Sequence, residues 1–235
     1  MESRKNSILL SSAYLAPVQY YTKLLSYQEV GIELYEHFLK QTYRNRTTIL
    51  SANGPQNLTV PVTEGSNSKR LLRDVAISYD HPWQKLHWRA LLSAYNNAPF
   101  FEYYCDSLKP FYQEKRWRYL IDFNEEIQQV VLAEMNLKCT TIRTEFFTSP
   151  GEISSGTTDF RYAIHPKTSH QVHDENFIPV VYMQVFQEKF GFTPNLGILD
   201  LLFNEGPIAV DIIKKSTSQK KTGGLRDLED LGTRR

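Results

Sequence analysis

The chain has 235 residues, a 41% hydrophobic fraction and a formal net charge of +1 at pH 7, which excludes a protein that is disordered throughout and suits one sizeable domain. Residues 214–235 carry a charge of +4, which leaves −3 for the rest of the chain. A folded part with a net charge of −3 lacks the positive charge that nucleic-acid binding requires, so this class of protein is excluded. We expect a globular domain over residues 1–213 followed by a basic, disordered tail over residues 214–235.

The sequence also lacks the signals that are typical of several other classes of protein. Cys105 and Cys139 are too few for a disulfide framework and have no metal-ligand spacing. The apolar run near the N-terminus is too short for a signal peptide, and no apolar stretch approaches the roughly 18 residues of a membrane helix. A glycine-rich phosphate loop, a Gly-x-Ser-x-Gly elbow and a dinucleotide fingerprint are also missing. We therefore expect a cytoplasmic protein that is not embedded in a membrane and uses no cofactor.

The first elements in the chain predict an α/β fold. Ser7–Ala13 reads as a buried strand, Val18–Tyr27 as a helix, and Glu29–Leu34 as a second strand because its apolar residues alternate. A strand, a helix and a strand in under thirty residues favour a right-handed parallel unit. Apolar runs over Thr47–Leu50 and Leu58–Val62 flank an Asn-Gly turn, which predicts an antiparallel hairpin.

The later elements follow from the same periodicities and from turn residues. In chain order they are a strand over Leu72–Tyr79, helices over Trp83–Asn96, Phe100–Gln113 (kinked or interrupted at Pro110) and Glu125–Met135, a strand over Cys139–Phe147, a mobile polar loop over residues 148–158, and helices over Tyr182–Phe192, Asn195–Phe203 and Ile208–Lys214. The sequence thus predicts a single α/β domain whose mixed sheet opens with the strand-helix-strand unit and is flanked by helices.

The loop after the first strand is the first candidate site. It holds Tyr14, and Gln19 lies at the start of the following helix. Ligands of parallel α/β sheets bind at the carboxyl ends of the strands, and a helix N-terminus offers free N–H groups to an anion. The alternative is an ordinary connecting loop whose tyrosine packs on the core.

A second candidate site precedes the predicted hairpin. Arg44 and Arg46 are two residues apart on a segment that reads as extended, so their guanidiniums would share a face and could hold a carboxylate or phosphate. Asn53, in the hairpin turn, is a candidate substrate contact. The alternative is a pair of arginines neutralised by nearby acids such as Glu33 or Glu36.

Two helices contribute the remaining candidates. His87 and Tyr95 share one helical face, where an imidazole beside phenols could act as a general base or could simply be a packed core residue. Asp200 lies in a strongly apolar helix and needs a partner or a role, for which one of the two arginines is attractive. His165, His170 and His173 have no recognised metal-site spacing, so we expect no metal.

Four segments resemble the WbqC-like family, bacterial proteins associated with O-antigen and surface-polysaccharide loci. They are AYLAPVQYYTKLLSYQEVGIE, KQTYRNRTTILSANG, WQKLHWRALLSAYNNAPFFEYY and FTPNLGILDLLFNEGP. One departure affects the site: many members carry Gln-Pro-x-Tyr-x-Pro where this chain has Ala13-Tyr14-Leu15-Ala16-Pro17. Gln19 is displaced from the position of that glutamine, which implies another substrate or a binding role alone.

The resemblance implies a role in making or decorating surface sugars. We expect an enzyme that modifies a sugar or nucleotide-sugar by transferring an acyl or aminoacyl group, glycine being one possibility that the family suggests. In this interpretation Tyr14 and His87 are catalytic, and the substrate contacts are Gln19, Arg44, Arg46, Asn53, Tyr95 and Asp200. The alternative is a non-catalytic binding or assembly protein of the same pathway, with a pathway protein as its partner.

Overall fold

The computed structural model describes residues 5–63 and 70–217. Its strands are β1 (Lys5–Ser11), β2 (Tyr27–Glu33), β3 (Arg46–Ser51), β4 (Gly54–Thr59), β5 (Thr141–Arg143) and β6 (Thr157–Asp159). Its helices are α1 (Val18–Ser26), α2 (Trp83–Tyr95), α3 (Phe101–Gln113), α4 (Leu120–Glu134), α5 (Gln187–Phe190), α6 (Ile198–Glu205) and α7 (Ala209–Lys215). The predicted α/β class is confirmed.

A four-stranded parallel sheet forms the first part of the fold. Its order is β5-β2-β1-β6, and β1 pairs with β2 so that Ile8 lies opposite Val30 and Leu10 opposite Ile32. These apolar residues are buried, as expected for a parallel strand covered on both faces. The predicted strand-helix-strand unit is therefore confirmed. Because every neighbouring pair is parallel, all four carboxyl ends meet at one edge of the sheet.

The predicted hairpin is also confirmed, as a two-stranded sheet of its own. β3 and β4 pair with Ser51 opposite Gly54, so Ala52 and Asn53 form a two-residue turn. Gly54 has φ +101°, a backbone conformation that glycine adopts without a Cβ clash. The second strand begins and ends earlier than the predicted Leu58–Val62.

The helices enclose an aromatic-rich core. α2 closely matches its predicted range and buries His87, Leu91 and Tyr95 along one face. α3 continues through Pro110, and α4 begins at Leu120, five residues before its predicted start. With 15 residues, α4 is the longest helix of the described ranges, and none of those helices combines the length and apolarity needed to cross a bilayer.

One element prediction was wrong and two were confirmed only in part. In Leu72–Tyr79 the amides of residues 72 and 73 donate to carbonyls of the turn after β2, so the segment begins as a short 3-10 turn. In Cys139–Phe147 the paired strand is confined to β5 at the sheet edge. In Tyr182–Phe192 the amide of Met183 donates to the Glu205 carboxylate, and helix α5 starts only at Gln187.

The predicted loop and tail are partly described. Residues 148–158 contain a 3-10 turn over Pro150–Glu152 and the start of β6, and their mobility stays a prediction. Of the predicted tail, Lys214 and Lys215 belong to α7. Residues 218–235 lie outside the described ranges.

Gly197 allows the hairpin, the loop after β1 and the start of α6 to approach one another. Its amide donates to the Thr48 carbonyl at 2.8 Å, and an added Cβ would lie 2.2 Å from Oγ1 of Thr47 and 3.2 Å from the Leu15 carbonyl oxygen.

We predict that Gly197→Ala lowers the free energy of unfolding by about 1–3 kcal/mol through overpacking, as measured by chemical denaturation. Gly151→Ala is the control, since nothing lies within 4 Å of its Cβ position. Equal stability of the two variants would contradict the prediction.

Candidate functional site

The carboxyl ends of three adjacent parallel strands carry the polar side chains of a buried cluster. β1 ends at Ser11, β2 at Glu33 and β6 at Asp159. The turns that follow these strands add the other members. We define the carboxyl-edge cluster as Ser11, Glu33, Glu36, Arg44, Asp159 and Arg161. This is the edge at which α/β proteins bind ligands, so the position of the cluster follows from the topology of the sheet.

Arg44 forms one half of this cluster and is 4% exposed. Its Nε donates to Oε1 of Glu36 at 2.9 Å and its Nη2 to Oε2 at 2.5 Å, while Nη2 also donates to Oγ of Ser11 at 2.7 Å. The two-pronged pairing fixes the plane of the guanidinium. Its Nη1 has no hydrogen-bond partner among the described residues. One charged donor of a nearly buried side chain is therefore left for a ligand.

Arg161 forms the other half, and all three of its guanidinium nitrogens are used. Nη1 donates to Oε2 of Glu33 at 3.0 Å and to the Thr148 carbonyl at 2.8 Å, and Nε and Nη2 donate to the two carboxylate oxygens of Asp159. Burial lowers the pKa of Arg161, but the hydrogen bonds and charge of Asp159 outweigh it and raise the pKa above its usual value. The Arg161 carbonyl accepts from Oγ of Ser11 at 2.8 Å, which joins the two halves.

Two aromatic rings cover the arginines from the solvent side. The Tyr162 ring centroid lies 5.4 Å from Cζ of Arg44 and 5.9 Å from Cζ of Arg161, and the Phe147 ring lies 5.0 Å from Cζ of Arg161. Each aromatic residue is 42% exposed. Burial, followed by the charge of Glu36, raises the pKa of Tyr162. Partly exposed rings over fixed polar groups are a common composition of small-molecule sites.

Tyr14 and His87 lie together, but in the core. The Tyr14 hydroxyl is 3.1 Å from Nδ1 of His87 and 2.9 Å from the Tyr112 hydroxyl. The rings of Trp83 and Phe123 pack around this group. Burial lowers the pKa of His87 to about 4, although a hydrogen bond with the Thr59 backbone opposes that change. His87 is therefore a neutral and weak base at pH 7.

Gln19 lies on α1 and is buried. Its Nε2 donates to Oδ2 of Asp174 at 2.9 Å, and Lys23 forms an ion pair with the same oxygen at 2.5 Å. Burial raises the pKa of Asp174, but these two hydrogen bonds more than offset it and lower the pKa. The contacts anchor the irregular segment around residue 174 to α1.

Arg46 and Asn53 do not join Arg44. Arg44 lies in a turn before β3 instead of on extended chain, and it pairs with Glu36, the alternative that its sequence context left open. Arg46 begins β3, where its Nε donates to Oγ1 of Thr59 at 3.3 Å. Asn53 is exposed in the hairpin turn.

Asp200 and Tyr95 form a separate cluster with the segment before α5. Oδ2 of Asp200 accepts from the Tyr182 hydroxyl at 2.8 Å and from Nε2 of Gln184 at 2.9 Å. Burial raises the pKa of Asp200 to about 6. It also raises the pKa of Tyr95 well above its usual value, with a further contribution from the Asp200 charge. The partners of Asp200 are thus a phenol and an amide, and neither arginine is among them.

Sequence reasoning missed part of the carboxyl-edge cluster. Asp159, Arg161, Tyr162 and Phe147 were not recognised, and Glu33 and Glu36 were considered only as partners of the arginines. One usable signal was an acid that closes a short β-branched run, Thr157–Asp159. Among the described residues no group of three or more His, Cys, Asp or Glu side chains could hold a metal ion.

One of the comparisons with known proteins identifies the family. The model of the WbqC-like protein family matches residues 12–212. The chain belongs to this family. It is 27% identical over 233 residues to an uncharacterised Mycobacterium tuberculosis protein, Rv1507c, a match that covers 89% of this chain and 98% of the relative. No solved structure matches the chain. The family match includes the Arg44 and Arg161 halves of the cluster.

The Arg44–Glu36 pair gives a prediction about stability. Arg44→Met leaves the Glu36 carboxylate buried without its countercharge, and we expect a loss of about 3–5 kcal/mol in the free energy of unfolding. Arg143→Met is the matched control, since Arg143 is 45% exposed in its ion pair with Asp122 and should change stability by less than about 1 kcal/mol. The double variant Arg44→Met, Glu36→Gln should recover part of the loss. Chemical denaturation measures all three, and similar losses in Arg44→Met and Arg143→Met would refute the assignment.

Asp200 gives a prediction about pH dependence. Its pKa is about 6 in the folded chain against an ordinary 3.8, so the folded state holds the proton more tightly and ionisation destabilises it. The contribution of Asp200 therefore falls as pH rises from about 4 through 6, by roughly 2–3 kcal/mol. Asp200→Asn lacks this loss, so its free energy of unfolding should rise relative to the unmodified protein between pH 4 and pH 7. Asp211→Asn, on an exposed side chain, is the control; parallel pH profiles for Asp200→Asn and the unmodified protein would count against the raised pKa.

Proposed function

We propose that this WbqC-like chain binds a sugar or nucleotide-sugar at the carboxyl-edge cluster and transfers a small acyl or aminoacyl group to it in surface-polysaccharide synthesis. The observation that carries the proposal is the free Nη1 donor of Arg44, which is fixed by Glu36 and lies under the half-exposed ring of Tyr162. The family resemblance supports the choice of pathway, and the geometry around Arg44 and Tyr162 supports the choice of site.

The chemistry of the cluster favours contact with the sugar part of such a ligand over contact with its phosphates. Its three carboxylates and two guanidiniums have a formal sum of −1, and Arg161 has each of its nitrogens occupied. A phosphate would therefore meet one available guanidinium edge at Arg44 and a surplus of acids around it. A hydroxylated ring can accept a hydrogen bond from Nη1 and lay its apolar face against Tyr162 or Phe147.

In the proposed reaction a hydroxyl or amine of the sugar attacks the carbonyl carbon of the donor. A C–O or C–N bond forms while the bond from that carbon to the donor's leaving group breaks, and the proton released by the sugar neutralises the leaving group. Arg44 and Tyr162 orient the sugar. We assign Tyr14 and His87 to the support of this edge, because both are buried and bonded to each other.

The second candidate function is a non-catalytic binding or assembly protein of the same pathway. Three apolar side chains of one irregular segment favour it: Ile178, Val181 and Met183 are 58%, 64% and 69% exposed. Clustered exposed apolar side chains are typical of protein interaction surfaces. Turnover in a mixture of nucleotide-sugars and acyl or aminoacyl donors would favour the enzyme. A stable complex with a pathway protein, without turnover, would favour the alternative.

Tyr162→Ala tests the site. We expect a nucleotide-sugar at a hundredfold excess over its dissociation constant to stabilise the unmodified protein by about 2.7 kcal/mol in a thermal-shift experiment. Removing the ring should weaken binding about tenfold in calorimetry, a loss of about 1.4 kcal/mol. Tyr103→Ala is the matched control, since that tyrosine is 79% exposed on α3. Unchanged affinity in Tyr162→Ala would place the ligand elsewhere.

A further inference from the structure

A second concave surface lies away from the carboxyl-edge cluster, at the C-terminal end of α6. It has a volume of about 510 Å³ and is lined by Asn97, Pro99, Met183, Gln184, Val185, Gln187, Glu188 and Asn204. We call it the amide groove. None of its lining residues belongs to the cluster, and its volume is in the range of small-molecule sites.

The walls of the amide groove are fixed by the Asp200 cluster. Gln184 is 4% exposed; its Nε2 donates to Asp200 and to the Thr193 carbonyl, and its Oε1 accepts from the Thr193 amide. Asn204 is 6% exposed and its Nδ2 donates to the Asp200 carbonyl at 2.7 Å. Both amides are therefore held in place before any ligand arrives, which lowers the cost of ordering them on binding.

One polar atom of this wall is left over. Oδ1 of Asn204 has no hydrogen-bond partner among the described residues, although the side chain is nine-tenths buried and lines the groove. The fully buried unpaired side-chain atoms of the described residues do not include Oδ1, so this atom is accessible at the surface of the groove and can accept a hydrogen bond from a group outside the fold. A ligand hydroxyl in the groove would supply it.

The lining determines the class of that ligand. It has four side-chain amides, together with one carboxylate and no basic side chain. The amide of Gln184 is engaged within the fold, whereas those of Asn97, Gln187 and Asn204 keep groups that can bond to a ligand. Phosphate groups would meet no cation here and would be repelled by Glu188, whereas sugar hydroxyls match amides in both directions. The side chain of Met183, which is 69% exposed, offers an apolar contact for the C–H face of a sugar ring.

We infer that the amide groove is a second binding site, specific for an uncharged carbohydrate. It is independent of the proposed function, because it shares no residue with the carboxyl-edge cluster and requires no reaction. In this inference the sequence candidates Asp200 and Tyr95 lie beneath the wall of the groove. Asp200 positions the two buried amides and makes no direct contact with the sugar.

The test is an NMR titration of the full chain with glucose, galactose and N-acetylglucosamine, each alone, following the side-chain amide signals of Gln184 and Asn204. We expect saturable shifts of both signals with at least one sugar, and none with uridine diphosphate. Asn97→Trp, at an exposed position of the rim, should weaken this binding at least tenfold by filling the groove. Gln113→Trp, at an exposed position outside the lining, is the matched control and should bind as the unmodified protein does.

Three results would overturn the inference: no saturable shift with any of the three sugars, equal sugar affinity in Asn97→Trp and Gln113→Trp, or loss of the sugar-induced shifts in Tyr162→Ala. Tyr162→Ala separates the two proposals. Sugar binding in the groove should be unchanged in this variant, whereas nucleotide-sugar binding at the carboxyl-edge cluster should weaken about tenfold. If the sugar-induced shifts of the Gln184 and Asn204 amide signals were lost in Tyr162→Ala, the sugar would bind at the cluster and the second site would be refuted.

Discussion

Buried ion pairs at the carboxyl edge of the parallel sheet are the constraint on which the rest of the structure depends. Glu33 ends a central strand with its side chain fully buried, and a carboxylate in that position is costly unless it is paired and hydrogen-bonded. Arg161 supplies the pairing and Arg44 does the same for Glu36. The irregular chain around residues 34–45 and 147–162 comes to this edge, where Arg44 pairs with Glu36 and Arg161 pairs with Glu33 and Asp159.

Buried, hydrogen-bonded carboxylates also occur at two other places in the described part of the chain, one with a cation as partner and one with neutral partners only. Asp174 is held by Gln19 and Lys23 of α1, and Asp200 by Tyr182 and Gln184. In each case a buried carboxylate joins a helix to the long segment between β6 and α6, which has little regular structure of its own. In this segment, side-chain hydrogen bonds to buried carboxylates hold the chain in place, a role that periodic backbone hydrogen bonds have in the helices.

These clusters differ in what they leave for a ligand. The Tyr14–His87 pair is enclosed by aromatic rings, and its lowered imidazole pKa reflects that enclosure. The carboxyl-edge cluster has an open guanidinium edge beneath partly exposed rings, and the Asp200 cluster forms the wall of a groove. Accessibility, more than the identity of the polar residues, separates the side chains that support the fold from those that we propose as ligand contacts.

The sequence by itself determined the strand-helix-strand opening, the hairpin and helix α2, because their periodicities and turn residues are local and agree with the tertiary packing. It also indicated the carboxyl edge as a site, since that location follows from parallel strands, and it singled out Arg44. Only the tertiary structure decided the partners. Glu33 and Arg161 are 128 positions apart in the chain, and no local pattern encodes a pairing over that distance. The sequence also could not determine the burial of His87. Its helical spacing is the same whether that face of α2 meets solvent or the core, and only the packing of α2 against its neighbours places the side chain in the core.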